Sequence, residues 1–451
     1  MRKTFFAKFA IITGAFAALF SNMAFGETLK GGIAPKIAAE IEADYPWLEQ
    51  LYRDFHANPE LSFMEVETAA RMAEEFRNLG FTVTEKVGKT GVVGVMKNGP
   101  GPTLMLRADM DALPVVEQTG LSFASTKTGR NRFGEEQPIM HACGHDIHMT
   151  VLIGTLRRLV AHKDKWSGTL VVIAQPAEEI GLGAAAMLED GLFTRFPRPD
   201  YNLALHDSAG FPAGMVAYTP GWALANVDSV DVIVKGVGGH GAYPHTTKDP
   251  IIIASQIVMV LQTLVSREMN PLDSAVVTVG AFNAGHKHNI ISDQAHLQIT
   301  VRSYSDEVRE KLLSGIQRIA KAQAMSAGLP EALYPEVTWE EDYTPSTYND
   351  PELTRRIAGV LAKTFGDKRV IEVDPVMGGE DFAHYGRTDP KIPSLIFWLG
   401  AVNKDQYREA QEKGESLPSL HSPFWAPDAE PTIKTGIAAM SAASFDILGK
   451  E

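Results

Sequence analysis

Five short apolar runs without polar alternation, at 92–96, 103–107, 169–174, 203–205 and 394–399, are separated by stretches of helical periodicity or turns. A strand with one wet face alternates polar and apolar residues, whereas an unbroken apolar run suits a strand covered on both sides. Strands of this kind alternating with helices predict an α/β fold: a mixed, largely parallel sheet flanked by helices. Ligand sites in such sheets gather at the carboxyl ends of the strands, so the polar residues there carry most of the functional information.

Between residues 225 and 343 the texture changes to a self-contained βαββαβ pattern. Its expected strands are 229–234, 275–281, 296–301 and 337–340, and its expected helices 249–267 and 306–327. That order suits a small ferredoxin-like sandwich inserted into the larger domain. The organisation read from sequence is a leader over 1–26, a catalytic domain over 27–224 and 344–451, and the insert over 225–343.

The leader places Arg2, Lys3 and Lys8 before and within an apolar stretch that ends in small residues at Ala24 and Gly26, the layout of a secretory signal peptide. Export to the periplasm or beyond is expected. No comparable apolar run is expected later, and no membrane partner after the leader is removed. The formal charge is −13, near −16 without the leader's three basic residues, which argues against a nucleic-acid partner. The chain has a single cysteine. In an oxidising compartment Cys143 has no intrachain partner, so it is buried, reactive or bound to metal.

Reading the strand ends in order, the 103–107 run leads to Asp109 and Asp111, the 169–174 run to Glu178 and Glu179, and the 203–205 run to His206. His141-Ala142-Cys143-Gly144-His145-Asp146 precedes a helical pattern, and a glycine between Cys143 and His145 lets both side chains face one ion. Thiolate with imidazole suits zinc and other later first-row metals. Neighbouring side chains on an extended segment point to opposite sides, so one of Glu178 and Glu179 can bind metal while the other serves as a base. Each piece has an ordinary structural reading, and their convergence on one place favours a site. Ser62-Phe63-Met64-Glu65 has the form of a capping box and reads as a helix start within a helical pattern over 38–80 broken at Asn58-Pro59.

Taken together, the stretches DFHANPELSFMEVETA, LRADMDALPVVE, MHACGHDIHM, QPAEE, GGHGAYPH, GGEDFAHY and LHSPFW resemble the amidohydrolase branch of the metallo-aminoacylase and carboxypeptidase superfamily. That group includes hippurate hydrolase, N-acyl-amino-acid amidohydrolases and the plant hydrolases of auxin conjugates. The resemblance implies two divalent metal ions per subunit, zinc or manganese with cobalt or nickel as alternatives, held by Cys143, His145, Glu179, His206 and His421. It implies Glu178 as general base, and a lid domain that can pair two subunits. His240 is implied as an oxyanion or carbonyl partner, Asn289 as a further substrate contact, and Asp109 as a group of the catalytic set that orients a ligand.

The roles of Glu380 and Asp381 stay open between support and helix capping. Departures from the family pattern include Asn289-Ile290-Ile291-Ser292 and Asp207 after His206; neither removes a ligand or the base. The implied activity is hydrolysis of the amide of N-acyl amino acids. A dipeptidase or carboxypeptidase of the same superfamily, or a binding protein without turnover, are the alternatives.

Overall fold

Within Leu104-Met105-Leu106 the side chains alternate between two different apolar cores: Leu104 and Leu106 enter the larger, Met105 the smaller. Leu170 and Val172 against Val171 and Ile173 divide in the same way. A sheet buried on both faces is therefore what the unalternated runs specify. The computed structural model describes residues 34–450, so the expected leader lies outside it.

The large sheet comprises β1 (Thr82–Val87), β2 (Gly91–Asn98), β3 (Thr103–Asp109), β4 (Gly168–Gln175), β5 (Tyr201–Pro212), β6 (Val216–Tyr218), β7 (Val370–Glu372) and β8 (Ser394–Val402). Their order is β1-β2-β4-β3-β5-β8-β6-β7. The central four, β4, β3, β5 and β8, run parallel, and β2 and β6 meet this block antiparallel. Helices Ala34–Ala57, Val66–Asn78, His145–Ala161, Pro351–Phe365 and Ala429–Leu448 pack on one face, and the shorter Gly183–Glu189 and Ala383–Gly386 on the other. The expected mixed, largely parallel sheet flanked by helices is present.

Strands Asp228–Lys235, Ala275–Ala284, Gln294–Ser303 and Glu336–Trp339 form a second, wholly antiparallel sheet with its own core. In chain order its strands lie 2-3-1-4, and helices Pro250–Thr263 and Asp306–Ser326 contribute to the core beside them. This is the ferredoxin-like βαββαβ arrangement.

Three local readings are corrected. Ser62 does not cap the Val66–Asn78 helix; Glu65 occupies the cap position without a capping side-chain bond. The Glu65 carboxylate instead accepts from the backbone N–H groups of Phe63 and Ala177 and the hydroxyl of Thr90, because burial makes those distant donors better partners than a solvated helix end. The strand carrying His206 does not stop there but runs on to Pro212, paired with β8. Finally, Pro250–Glu268 is long and apolar enough to cross a membrane by length and composition. Its inner side packs in the second core, while Ile252 and Met259 are exposed.

At the end of the first helix, His56 is buried between two carboxylates, with Nδ1 2.7 Å from Asp146 and Nε2 3.0 Å from Glu117. Burial alone lowers its pKa, but these hydrogen bonds outweigh it and hold it at about 9. A raised folded-state pKa contributes stability that is complete below the unfolded value near 6.5 and is lost as pH rises through about 9. His56→Gln is thus expected to lower unfolding free energy at pH 6, by on the order of 3 kcal/mol, and by much less at pH 10. Denaturant titrations at the two pH values check this, and an equal loss at both would refute the ionised pairing.

Candidate metal centre

β3, β4 and β5 are neighbours, so their carboxyl ends deliver side chains to one place. Past β4 the chain turns sharply at Ala177, whose φ of 51° is uncommon for a residue with a Cβ. The turn is held from below: Glu65 accepts from the Ala177 N–H at 2.8 Å. Asp111, just past β3, accepts from the N–H groups of both Glu178 and Glu179 at 3.1 and 3.0 Å, and from the Ser62 hydroxyl at 2.6 Å. The two glutamates thus project from a fixed backbone.

Cys143 and His145 come from the loop that starts the His145–Ala161 helix. Gly144 has φ of 75°, and a Cβ there would lie 2.3 Å from the Asp207 carboxylate, so only glycine fits. Cys143 Sγ lies 3.6 Å from His206 Nε2 and 3.3 Å from His421 Nε2. Glu179 reaches both sides, with Oε2 3.4 Å from His421 Nε2 and Oε1 3.8 Å from His145 Nε2. Glu178 Oε2 is 3.9 Å from the same His145 nitrogen. The five expected ligands and the expected base are therefore brought together, with Cys143 between the His145/His206 side and the Glu179/His421 side.

The hydrogen bonds fix which nitrogen faces inward. His145 Nδ1 donates to the Asp111 carbonyl and His206 Nδ1 to the Asp207 carbonyl, both at 2.7 Å, so each Nε2 lone pair points at the cluster. His145 Nε2 and Glu179 Oε1 are buried without a hydrogen-bond partner. Two such atoms left unpaired are costly unless something else satisfies them. Thiol, imidazole and carboxylate donors arranged this way fit divalent metal.

The electrostatics point the same way. Burial pushes the Glu178 carboxyl well above the usual range, and the charges of Glu380, Glu179 and Asp381 push it further. Burial, then the charge of Glu179, likewise raises the Cys143 thiol. Burial and the neighbouring carboxylates thus disfavour the anionic forms of both groups, a penalty that a bound cation would offset.

One cation is built in. Arg107 is fully buried, and its guanidinium donates to Asp109 at 2.5 Å, Glu380 at 2.7 Å, Asp381 at 3.3 Å and Gln175 at 2.9 Å. This answers the open question about Glu380 and Asp381, which hold Arg107; Asp381 also accepts from the N–H of Ala184. Asp109, expected in the catalytic set as a group that orients a ligand, accepts from Arg107 at 2.5 Å, lies 2.6 Å from His148 Nδ1 and 3.7 Å from His145 Nε2, and does not line the cavity.

A cavity of about 610 Å³ opens above the cluster, lined by Cys143, Glu178, Glu179, His206 and His421 and, from the second sheet, Arg302. Sequence reading missed Arg302. Among the described residues no carboxylate lies within 4 Å of its guanidinium, which donates to the Thr300 hydroxyl and the Met377 carbonyl. His240 and Asn289 are not brought to the centre. Both sit exposed, His240 on a two-stranded ribbon and Asn289 just before its second strand, where Gly241 N–H donates to the Asn289 carbonyl, and neither lines the cavity. The ribbon stands beyond the end of the lid sheet.

Fold and site define a metal-dependent amidohydrolase. The chain belongs to peptidase family M20/M25/M40, whose family model matches residues 105–421. It is 37% identical over 396 residues to thermostable carboxypeptidase 2 of Saccharolobus solfataricus, covering 87% of this chain and 93% of that protein. It is 38% identical over 339 residues to hippurate hydrolase of Campylobacter jejuni, covering 75% and 84%. The crystal structure of the Bacillus subtilis YXEP protein, a dinuclear metal binding peptidase, superposes with a TM-score of 0.71 at 29% identity, covering 90% of this chain and all of that one.

Replacing Arg107 by Met should leave three buried carboxylates without their cation and lower unfolding free energy by about 3–5 kcal/mol. Denaturant unfolding of the variant measures this directly; a loss under about 1 kcal/mol would mean that the carboxylates do not depend on Arg107.

Proposed function

We propose that the protein hydrolyses the amide bond of N-acyl amino acids, hippurate-like substrates among them. The observation that carries this reading is the turn after β4, which presents Glu178 and Glu179 side by side on a backbone clamped by Asp111. Cys143, His145, Glu179, His206 and His421 would hold two divalent ions, zinc or manganese, with cobalt or nickel as alternatives. When bound, such ions supply Lewis acidity toward a carbonyl and lower the pKa of water.

The chain's own residues do the rest. Glu178 takes the proton of the attacking water and returns it to the leaving nitrogen, as its position beside the His145/Glu179 pair allows. Arg302, which has no carboxylate partner among the described residues, pairs with the free α-carboxylate of the substrate and thereby fixes which end of the amide faces the centre. His240 and Asn289 join the substrate only if the lid moves or a second subunit supplies them.

Export is part of the proposal: the leader over 1–26 directs the chain to the periplasm or outside the cell, free of the membrane once cleaved. So is a homodimer through the lid. Exposed Ile252 and Met259 and the edge strand Ala275–Ala284 offer the apolar and backbone surface for it.

A carboxypeptidase reading has one specific support, the likeness to the Saccharolobus protein. Assays on hippurate, N-acyl amino acids and free dipeptides separate the two. Chelator-sensitive cleavage of the acylated substrates is expected, and robust cleavage of dipeptides alone would overturn the proposal. Glu178→Gln should lower kcat by at least about a hundredfold while metal content, measured by elemental analysis, stays near wild type. Full activity in that variant would refute the base.

A further inference from the structure

Glu179 and Ile180 border two cavities. One is the cavity over the metal cluster. The other, about 400 Å³, shares these two residues and is walled besides by Leu61, Ala112, Leu113, Pro114 and Phe133. We propose that this second cavity receives the acyl group of the substrate and selects bulky apolar acyl groups, aromatic ones included, over acetyl. The inference rests on the amidohydrolase reading above and adds to it the class of acyl group.

The floor of the cavity is rigid. Leu61 is bridged to Ala112 and Leu113 to Met140, and Ala112 N–H donates to the Glu60 carbonyl at 2.8 Å. Its outer wall is the hairpin formed by Thr128–Arg130 and Glu136–Pro138. At the hairpin tip the Asn131 side-chain carbonyl accepts from the N–H groups of Phe133 and Glu135, both at 3.0 Å. This holds Phe133 72% exposed. Arg132 stacks its guanidinium 4.8 Å from the same ring. Large apolar side chains this exposed beside a cavity mark a place where an apolar group docks.

The polar groups at this place are largely spoken for. Ser62 gives its hydroxyl to Asp111, and Asn131 binds its own hairpin. Arg132, Gln137 and Glu179 are the other polar residues at this wall, and the rest of it is hydrocarbon that rewards burial of an apolar group.

Direction follows from Arg302, which lines the first cavity and not the second. With the carboxylate end of the substrate on Arg302 and the amide beside Glu178, the acyl end leads past Glu179 and Ile180 into the second cavity.

The test compares kcat/KM for N-benzoyl, N-octanoyl and N-acetyl forms of one amino acid in the wild type and in Phe133→Ala, whose exposed side chain contributes little to folding. The wild type should prefer the benzoyl and octanoyl forms. In the variant the ratio of benzoyl to acetyl kcat/KM should fall about tenfold, mainly through KM. Hydrolysis of the panel with the ratio unchanged by the substitution, or a wild-type preference for acetyl, would overturn this inference while leaving the amidohydrolase reading standing. No hydrolysis of any acylated substrate would overturn both.

Discussion

Arg107 is a permanent cation buried against the carboxylates of Asp109, Glu380 and Asp381, and among the described residues no other lysine or arginine pairs with these three. Charges of this kind cannot be taken out of water unless they are paired and fully hydrogen-bonded. The guanidinium spans the end of the sheet, binding Asp109 on β3, the Gln175 side chain on β4 and the Glu380-Asp381 segment that precedes β8. In doing so it ties the first and last parts of the catalytic domain together beneath the metal centre. The second set of acids, Glu178 and Glu179, receives no hydrogen bond from it, although the charge of Glu178 acts on it at longer range. Donor atoms left unpaired at His145 Nε2 and Glu179 Oε1 are where further positive charge belongs.

The centre is built in layers, each setting the freedom of the next. Glu65 fixes Ala177 in a left-handed turn, Asp111 fixes the two following backbone N–H groups, and the glutamate side chains project from that frame. The same Asp111 orients His145 through its carbonyl. One residue thus aligns the His145 imidazole, the Glu179 carboxylate and the proposed base. A shift of Asp111 would move all three, so its burial and saturation matter more for function than its distance from any substrate.

Much of this was legible in the sequence, and the reasons are physical. Buried strands leave unalternated apolar runs, so 103–107, 169–174 and 203–205 identified three adjacent strands whose ends had to share a site. Cys143-Gly144-His145 was legible because a lone cysteine in a chain expected to be exported needs an explanation and glycine permits the turn. His421 was reached only through family resemblance, since a loop histidine at φ 66° has no periodicity around it. What stayed hidden were contacts between residues far apart in the chain. Glu65 satisfied a local capping pattern, yet its carboxylate went to Ala177, 112 residues away. Arg302 and the cavity behind Glu179 leave no spacing signature, because both are assembled from separate segments.

The claim at the centre is that Cys143 is a thiolate ligand in a metal centre held among His145, Glu179, His206 and His421. Titrating the metal-free protein with cobalt(II) while recording its absorption spectrum tests that claim most directly. A thiolate-to-metal charge-transfer band should grow in and saturate in the wild type, together with restored hydrolysis, and should be missing in Cys143→Ser. Restored hydrolysis without such a band, or a band that persists in Cys143→Ser, would contradict it.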